Sequence, residues 1–322
     1  MQRHEPRRVL ITGGAGFVGA HLAQRCLDRG DEVHLLVRKE TSLARVLPIL
    51  AQLHVHCLSF GDHNRLHACL AAVEPDDIYH LAVTTRGRVQ PDFGDLSQGL
   101  DDLSNLMRLV SAAATLRRPP RAFIRCGSLA EYGTGPVPAV ESQREAPTTA
   151  YAASLVAGTH YLQGLAGRLP FRALTARLAL VYGPGQSEAF FIPDCLRRLR
   201  EARPVTVQRP SDRRDLVHVA DVVEGLLTLA AAPHFAGNVA NICTGYAPTM
   251  HDVAVMIAMA TKADPSLVEL SGNAPAEPVS HLECSPLLVA TQTGWKARIG
   301  FAQGLTDLVA TAAATRVLEE CL

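Results

Sequence analysis

Apolar residues come in short runs separated by longer amphipathic stretches, and the two kinds of segment alternate along the first half of the chain. Val9–Ile11 reads as a strand. A helix follows through about Arg29, ended by Gly30, and Glu32–Val37 reads as a second strand. Leu53–Phe60 is predicted as a third, and then the pattern repeats: a helix around Asn64–Ala72, a strand Ile78–Leu81, a helix around Leu96–Leu116 and a strand Ala122–Cys126. A helix beginning near Thr149 precedes a strand spanning Phe171–Val181. Alternation of this kind predicts an α/β protein: a doubly wound parallel sheet covered on both faces, with ligands at the carboxyl ends of its strands. Past Tyr182 the composition shifts. A helix over Ile192–Ala202, a strand Val205–Gln208, a helix through Ala231 and a strand Val239–Ile242 are expected, and Pro265, Pro275, Pro278 and Pro286 break the remainder into short helices and loops that form a smaller C-terminal cap.

The first strand runs into Thr12-Gly13-Gly14-Ala15-Gly16-Phe17-Val18-Gly19. A glycine turn between a strand and a helix presents unpaired backbone N–H groups and the positive end of the helix dipole to whatever lies there, which makes an anion site. Gly13 serves the turn, Gly16 the approach of a pyrophosphate, and Gly19 the close seating of helix on strand. A glycine triplet alone is often only a turn, but the strand before it and the helix after it favour a dinucleotide site. On this reading residues 1–183 and about 213–244 form the dinucleotide-binding domain, and 184–212 with 245–322 the substrate-binding cap. At the tip of the second strand stands Arg38. An arginine there accommodates a 2′-phosphate and favours NADP over NAD, although an exposed strand end would also carry a solvated arginine.

The chain has 322 residues, enough for two domains, with 48% hydrophobic and 19% charged residues and a formal net charge of zero. Neutrality gives no general attraction to nucleic acid or anionic membrane, so an anion site has to be local. Eight scattered cysteines, without a Cys-x-x-Cys pair, fit free thiols in a reducing cytoplasm. Met1–Arg8 has no apolar segment and does not read as a removable signal, and no window approaches a membrane span. His54 and His56 share a strand face, and His63 and His67 have helical spacing. No carboxylate or thiolate stands in obvious register with them, so they read as surface histidines and no metal site is expected.

Together with the glycine loop, several segments resemble the extended short-chain dehydrogenase/reductases, the sugar-nucleotide epimerases, dehydratases and reductases. They are Gly61-Asp62, His80-Leu81-Ala82, Ser128 four residues before Tyr132-Gly133, Tyr151, Val181-Tyr182-Gly183-Pro184-Gly185, Arg214-Asp215-Leu216-Val217-His218-Val219-Ala220-Asp221, Asn241-Ile242 and Gly294-Trp295-Lys296. The resemblance spans nearly the whole chain and implies a Rossmann-type fold. It also implies that Gly13, Gly16, Phe17, Val18 and Gly19 line the pyrophosphate, that Asp62 reaches the adenine, and that Leu81 and Ala82 line the cofactor groove. Ser128 would hydrogen-bond the reacting oxygen and Tyr151 act on it as acid or base. Thr84 and Arg214 would meet the substrate, a nucleotide-diphosphate sugar. Helices around Leu103 and Tyr151 would pair two subunits into a homodimer.

Three departures bear on the chemistry. The family places a lysine four residues after the tyrosine; here that position is Leu155, and lysine occurs only at 39, 262 and 296. Leu180 stands where relatives carry an asparagine near the substrate phosphate, and Leu129-Ala130 stands where the 4,6-dehydratases carry an acidic pair, which argues against dehydration. An unperturbed tyrosine has a pKa near 10, so about one in a thousand is ionised at pH 7, and lowering the pKa to about 7 takes roughly 4 kcal/mol that a neighbouring ammonium would largely supply. Epimerisation through a keto intermediate begins with tyrosine as base, whereas reduction needs a proton donor, which neutral tyrosine already is. The expectation is therefore NADPH-dependent reduction of a keto-sugar nucleotide, at C4 of a 6-deoxy-keto-sugar, with Ser128 and Tyr151 on the oxygen. The alternatives are an NAD-dependent epimerase and a binding relative impaired by Leu155 and Leu180. Arg125 is the nearest guanidinium in sequence that could replace the missing charge. Taken singly, Tyr151 could be a packing residue and Ser128 a turn residue.

Overall fold

The computed structural model describes residues 5–83, 96–271 and 280–320. The described strands build a seven-stranded parallel sheet from β1 (Arg8–Thr12), β2 (Glu32–Val37), β3 (His54–Cys57), β4 (Asp77–His80), β5 (Ala122–Ser128), β6 (Arg172–Leu178) and β11 (Val239–Ile242). Their spatial order is β11-β6-β5-β4-β1-β2-β3. The chain winds outward from β1 to β3, then crosses back to continue from β4 on the other side. The switch in direction lies between β1 and β4, where open α/β sheets place their ligands.

Strand alternation sends Val9, Ile11, Leu35, Ile124 and Leu174 to one face and Leu10, Leu36, Ile78, Phe123 and Ala173 to the other, and both sets are buried. The first face is covered by α1 (Phe17–Asp28) and α6 (Val219–Ala231), the second by α2 (His63–Val73), α3 (Leu96–Ala114) and α4 (Ala150–Leu165). A separate core joins α5 (Phe191–Arg200) and α7 (Met250–Thr261) to Leu305 and Leu308 of α9 (Phe301–Glu320).

Three expectations change. The third strand is only His54–Cys57 long, and a 3-10 helix, Ala44–Gln52, precedes it. The run expected as one strand over Phe171–Val181 is two: β6 ends at Leu178 and β7 (Leu180–Tyr182) joins β10 (Leu216–His218) in a second sheet. The break has a hydrogen-bonding cause, since the Ala179 amide still donates to the Ile242 carbonyl while the next amide, Leu180, donates to that of Asp215. Finally, the C-terminal remainder holds two full helices, α7 and α9, beside the short ones; Thr249 and Asp252 close a capping box that starts α7.

The parallel pairing of β2 with β3 also supplies what chain order hid. His34 faces His54 in register, and Glu32, two residues before His34, lies on the same side. The histidines of β3 therefore do have a carboxylate beside them, contrary to the reading from sequence.

Candidate active site

At the switch point, Gly13 adopts φ +71° and packs so tightly on the chain leaving β4 that a Cβ would lie 2.7 Å from the Leu81 carbonyl carbon and 2.8 Å from the Ala82 nitrogen. A Cβ on Gly19 would lie 2.2 Å from the Gly13 oxygen, so only glycine lets α1 sit on the loop. Gly16 is the residue before the first turn of α1. It has no side chain to cap the helix, and the first turn carries no acidic residue. By contrast α2, α4, α6 and α7 are capped by Asp62, Thr149, His218 and Thr249. The open N–H groups of α1 border a groove that Gly13, Gly16, Arg38, Leu81 and Ala82 line, joined by Asp102 and Asn105 of α3. An uncapped helix start, a loop stripped of side chains and a cleft beside them fit a dinucleotide diphosphate.

The remaining residues expected at the cofactor have other contacts as well. Phe17 stands edge-on to His21 with ring centroids 5.6 Å apart, and Val18 is half-buried against the core. Asp62 lies outside the groove lining and accepts a hydrogen bond from the Arg65 amide at 3.0 Å. Arg38 is exposed on the rim, where its amide donates to Thr41 Oγ1 at 3.1 Å. Arg214 is engaged by Asp212 at 3.0 Å and by the carbonyls of Ser280 and Arg213, each at 2.8 Å. Thr84 lies outside the described residues.

Ser128 ends β5 and Tyr151 opens α4, which packs on β5 and on the 3-10 turn Leu129–Tyr132. That turn is a capping box: the Ala130 amide donates to Ser128 Oγ at 3.2 Å, and the Ser128 amide donates to Glu131 Oε1 at 3.1 Å. Glu131 is fully buried and forms the hub of a polar network that sequence reasoning missed. Its other oxygen accepts from Thr159 Oγ1 at 2.7 Å and from Arg177 Nε at 2.9 Å; Arg177 also pairs with Glu145 and lies 4.4 Å over the Tyr132 ring. The Tyr132 hydroxyl donates to Asn241 Oδ1 at 2.8 Å. The spacing Ser128-x-x-Glu131 was the available signal, being that of a capping box. Arg177 gave none, because only sheet pairing brings β6 to Glu131.

Arg125, also buried, turns toward α4. Its guanidinium donates to the Leu155 carbonyl and to Thr159 Oγ1, both at 3.0 Å. The room comes from Gly158, whose Cβ would lie 2.6–3.0 Å from the guanidinium atoms. A cation thus stands beneath the helix segment where the family lysine would stand, and two of its N–H groups are engaged by the helix backbone and by Thr159. Tyr151 is 37% exposed; the partial desolvation of its phenol raises the pKa above the ordinary value, the Glu131 carboxylate adds to the rise, and Arg125 opposes it only in part. Tyr151 is therefore neutral across the physiological range.

This sheet order, with an open helix start at its switch point, defines an α/β protein of the dinucleotide-binding class. Residues 9–243 match the profile of the NAD dependent epimerase/dehydratase family, and the chain belongs to that family. It is 28% identical, over 94% of its length and 95% of the relative's, to a dTDP-6-deoxy-L-talose 4-dehydrogenase (NAD(P)(+)) of Kitasatospora kifunensis. A dTDP-L-rhamnose 4-epimerase of Burkholderia thailandensis is 25% identical, with 94% of each chain covered. Among solved structures, the Thermus thermophilus UDP-glucose 4-epimerase in complex with NAD superposes with a TM-score of 0.79 at 25% identity, covering 94% of this chain and 97% of that one. The relatives are nucleotide-sugar enzymes of oxidoreductase and isomerase types. Among the described residues no helix is long and apolar enough to cross a membrane.

Proposed function

We propose that the protein reduces the C4 keto group of a nucleotide-linked 6-deoxy-sugar with NADPH. The observation that carries this reading is geometric: Leu155 is buried where the lysine would be, so no ammonium stands beside Tyr151 to ionise its phenol, and the nearest buried cation, Arg125, hydrogen-bonds the helix backbone and Thr159. A phenol held protonated is a proton donor for a carbonyl and a poor base for an alcohol. Ser128 and Tyr151 would both hydrogen-bond the carbonyl oxygen, and Tyr151 would give up its proton as the alkoxide forms. When bound, the nicotinamide cofactor supplies the hydride. The Glu131 carboxylate fixes the Ser128 amide and so orients the serine. Arg38, exposed at the rim of the groove, supports NADP as the preferred form. The relative that acts as a 6-deoxy-sugar 4-dehydrogenase with NAD(P)(+) supports both the position and the redox class. Leu100 and Met107, 68% and 41% exposed and a heptad apart on α3, support a homodimer paired through α3 and α4.

The test is NADPH consumption against a panel of 4-keto-6-deoxy nucleotide sugars. Tyr151→Phe is expected to lower turnover by about 100-fold or more, the usual worth of a general acid; full turnover in that variant would show that the proton comes from elsewhere. A second reading, epimerisation, is favoured by the 4-epimerase relatives, one of them in complex with NAD. Purified protein that retains stoichiometric NAD and interconverts C4 epimers without net NADPH use would establish it.

A further inference from the structure

At the amino-terminal ends of β2 and β3, opposite the cofactor groove, three side chains from two strands converge. Glu32 Oε1 lies 3.0 Å from His34 Nε2 and 3.8 Å from His54 Nε2, and the potential ligand atoms of the three residues all lie within 4.8 Å of one another. Two donors on a tetrahedral zinc ion at about 2.0–2.1 Å are roughly 3.3 Å apart, a value that these two distances bracket. The two imidazoles stack with centroids 4.7 Å apart and planes inclined by 19°, so on ligation the His54 ring, which is more than half exposed, has to turn for both Nε2 lone pairs to meet one ion. Behind His34 stands His56, whose Nε2 lies 3.0 Å from His34 Nδ1. A ligating histidine needs its second ring nitrogen to donate to a fixed acceptor, which orients the ring and fixes its tautomer, and His56 can be that acceptor. The His34 side chain is 8% exposed, whereas those of Glu32 and His54 are 50% and 58% exposed. An ion would therefore be anchored on the sheet and reachable from solvent.

We propose that Glu32, His34 and His54 form a divalent transition-metal site of the zinc type, with His56 as the positioning residue behind His34 and a water in the fourth position. Two imidazoles and one carboxylate select Zn²⁺ or its late first-row neighbours over Mg²⁺ and Ca²⁺, which prefer all-oxygen sites. In the metal-free state the His34 Nε2–H donates a hydrogen bond to the Glu32 carboxylate. On binding, that nitrogen must be bare, so the ring carries its proton on Nδ1 and donates it to His56. The ion would tie the edge strand β3 to β2. The site shares no residue with the catalytic groups and does not depend on the reaction proposed above.

The experiment is calorimetric titration of the untagged, chelator-stripped full chain with Zn²⁺, alongside thermal melts with and without the ion. One zinc per chain is expected, with an increase in Tm that Mg²⁺ does not reproduce. Glu32→Gln and His54→Ala, at half-exposed positions, should weaken that binding at least tenfold while melting like the wild type without metal. His56→Phe, which removes no ligand, should weaken it about tenfold. No saturable zinc binding by the wild type, or binding unchanged in both Glu32→Gln and His54→Ala, would overturn the proposal.

Discussion

Gly158 offers a direct test of how Arg125 is held, because the same helix contains its own control. Glycine in a helix interior costs about 1 kcal/mol relative to alanine, so Gly→Ala is ordinarily stabilising. At Gly164, exposed on α4 and with nothing within 4 Å of a built Cβ, Gly164→Ala should yield up to about that amount. At Gly158 the new methyl would stand 2.6 Å from Arg125 Nη2 and 2.7 Å from its central carbon. A surface arginine would swing aside at little cost. Arg125 is 3% exposed and bonded to Leu155 and Thr159, so displacement breaks both contacts without giving the charge to water. Two hydrogen bonds to a charged group are worth about 1.5–3 kcal/mol each; set against the helix gain, Gly158→Ala should destabilise by roughly 2–5 kcal/mol. Denaturant titrations with unchanged slope would read out both variants. If Gly158→Ala were as stabilising as Gly164→Ala, Arg125 would not be anchored under α4, and the account of why Tyr151 lacks a cation would fail.

Other consequences follow from the same geometry. Gly19→Ala should abolish dinucleotide binding, measured by fluorescence or calorimetry, since its Cβ would overlap the Gly13 carbonyl at 2.2 Å; near-normal affinity would mean that α1 need not sit so close. Leu155→Lys should not restore a low-pKa tyrosine, because the new amine would enter a buried site beside Arg125 and be held neutral by burial and like charge; a kinetic pKa near 7 that appears with the lysine would contradict this. His80, buried against Thr12 and held down to about 3 by desolvation, stays neutral in the folded state while the unfolded chain protonates it below about 6.5. Its contribution is complete above about pH 6.5 and is lost as pH falls toward 3, at up to about 1.4 kcal/mol per pH unit; a His80→Asn variant should show a shallower acid limb by that slope, and an identical limb would refute it.

Much of the scaffold was legible without coordinates. Glu32–Val37 and Val239–Ile242 are strands with the expected ends, and Thr149 caps the helix that carries Tyr151, because runs of β-formers and capping residues act locally. The glycine loop was equally plain from its spacing: the clearance at Gly19 lies within the turn itself, although that at Gly13 is set by Leu81 and Ala82 on the chain leaving the neighbouring strand. The long strand expected through Phe171–Val181 failed for a reason that no local pattern carries, since its partner changes at Ala179 from β11 to the segment around Asp215. Within their own strand the histidines of β3 have no carboxylate, and Glu32 and His34 come beside them only through pairing.

From the sequence alone came the class of the protein, its cofactor loop and the absence of lysine after Tyr151, since identity and spacing determine each of these. The tertiary structure decided what stands in the lysine's place. Arg125 lies 30 positions before Leu155, Gly158 makes room for it, and Glu131 and Arg177 reach the same layer from a turn and a neighbouring strand. A phenol's proton affinity is set by the charges and solvent within a few ångströms of it, and only folding determines which those are.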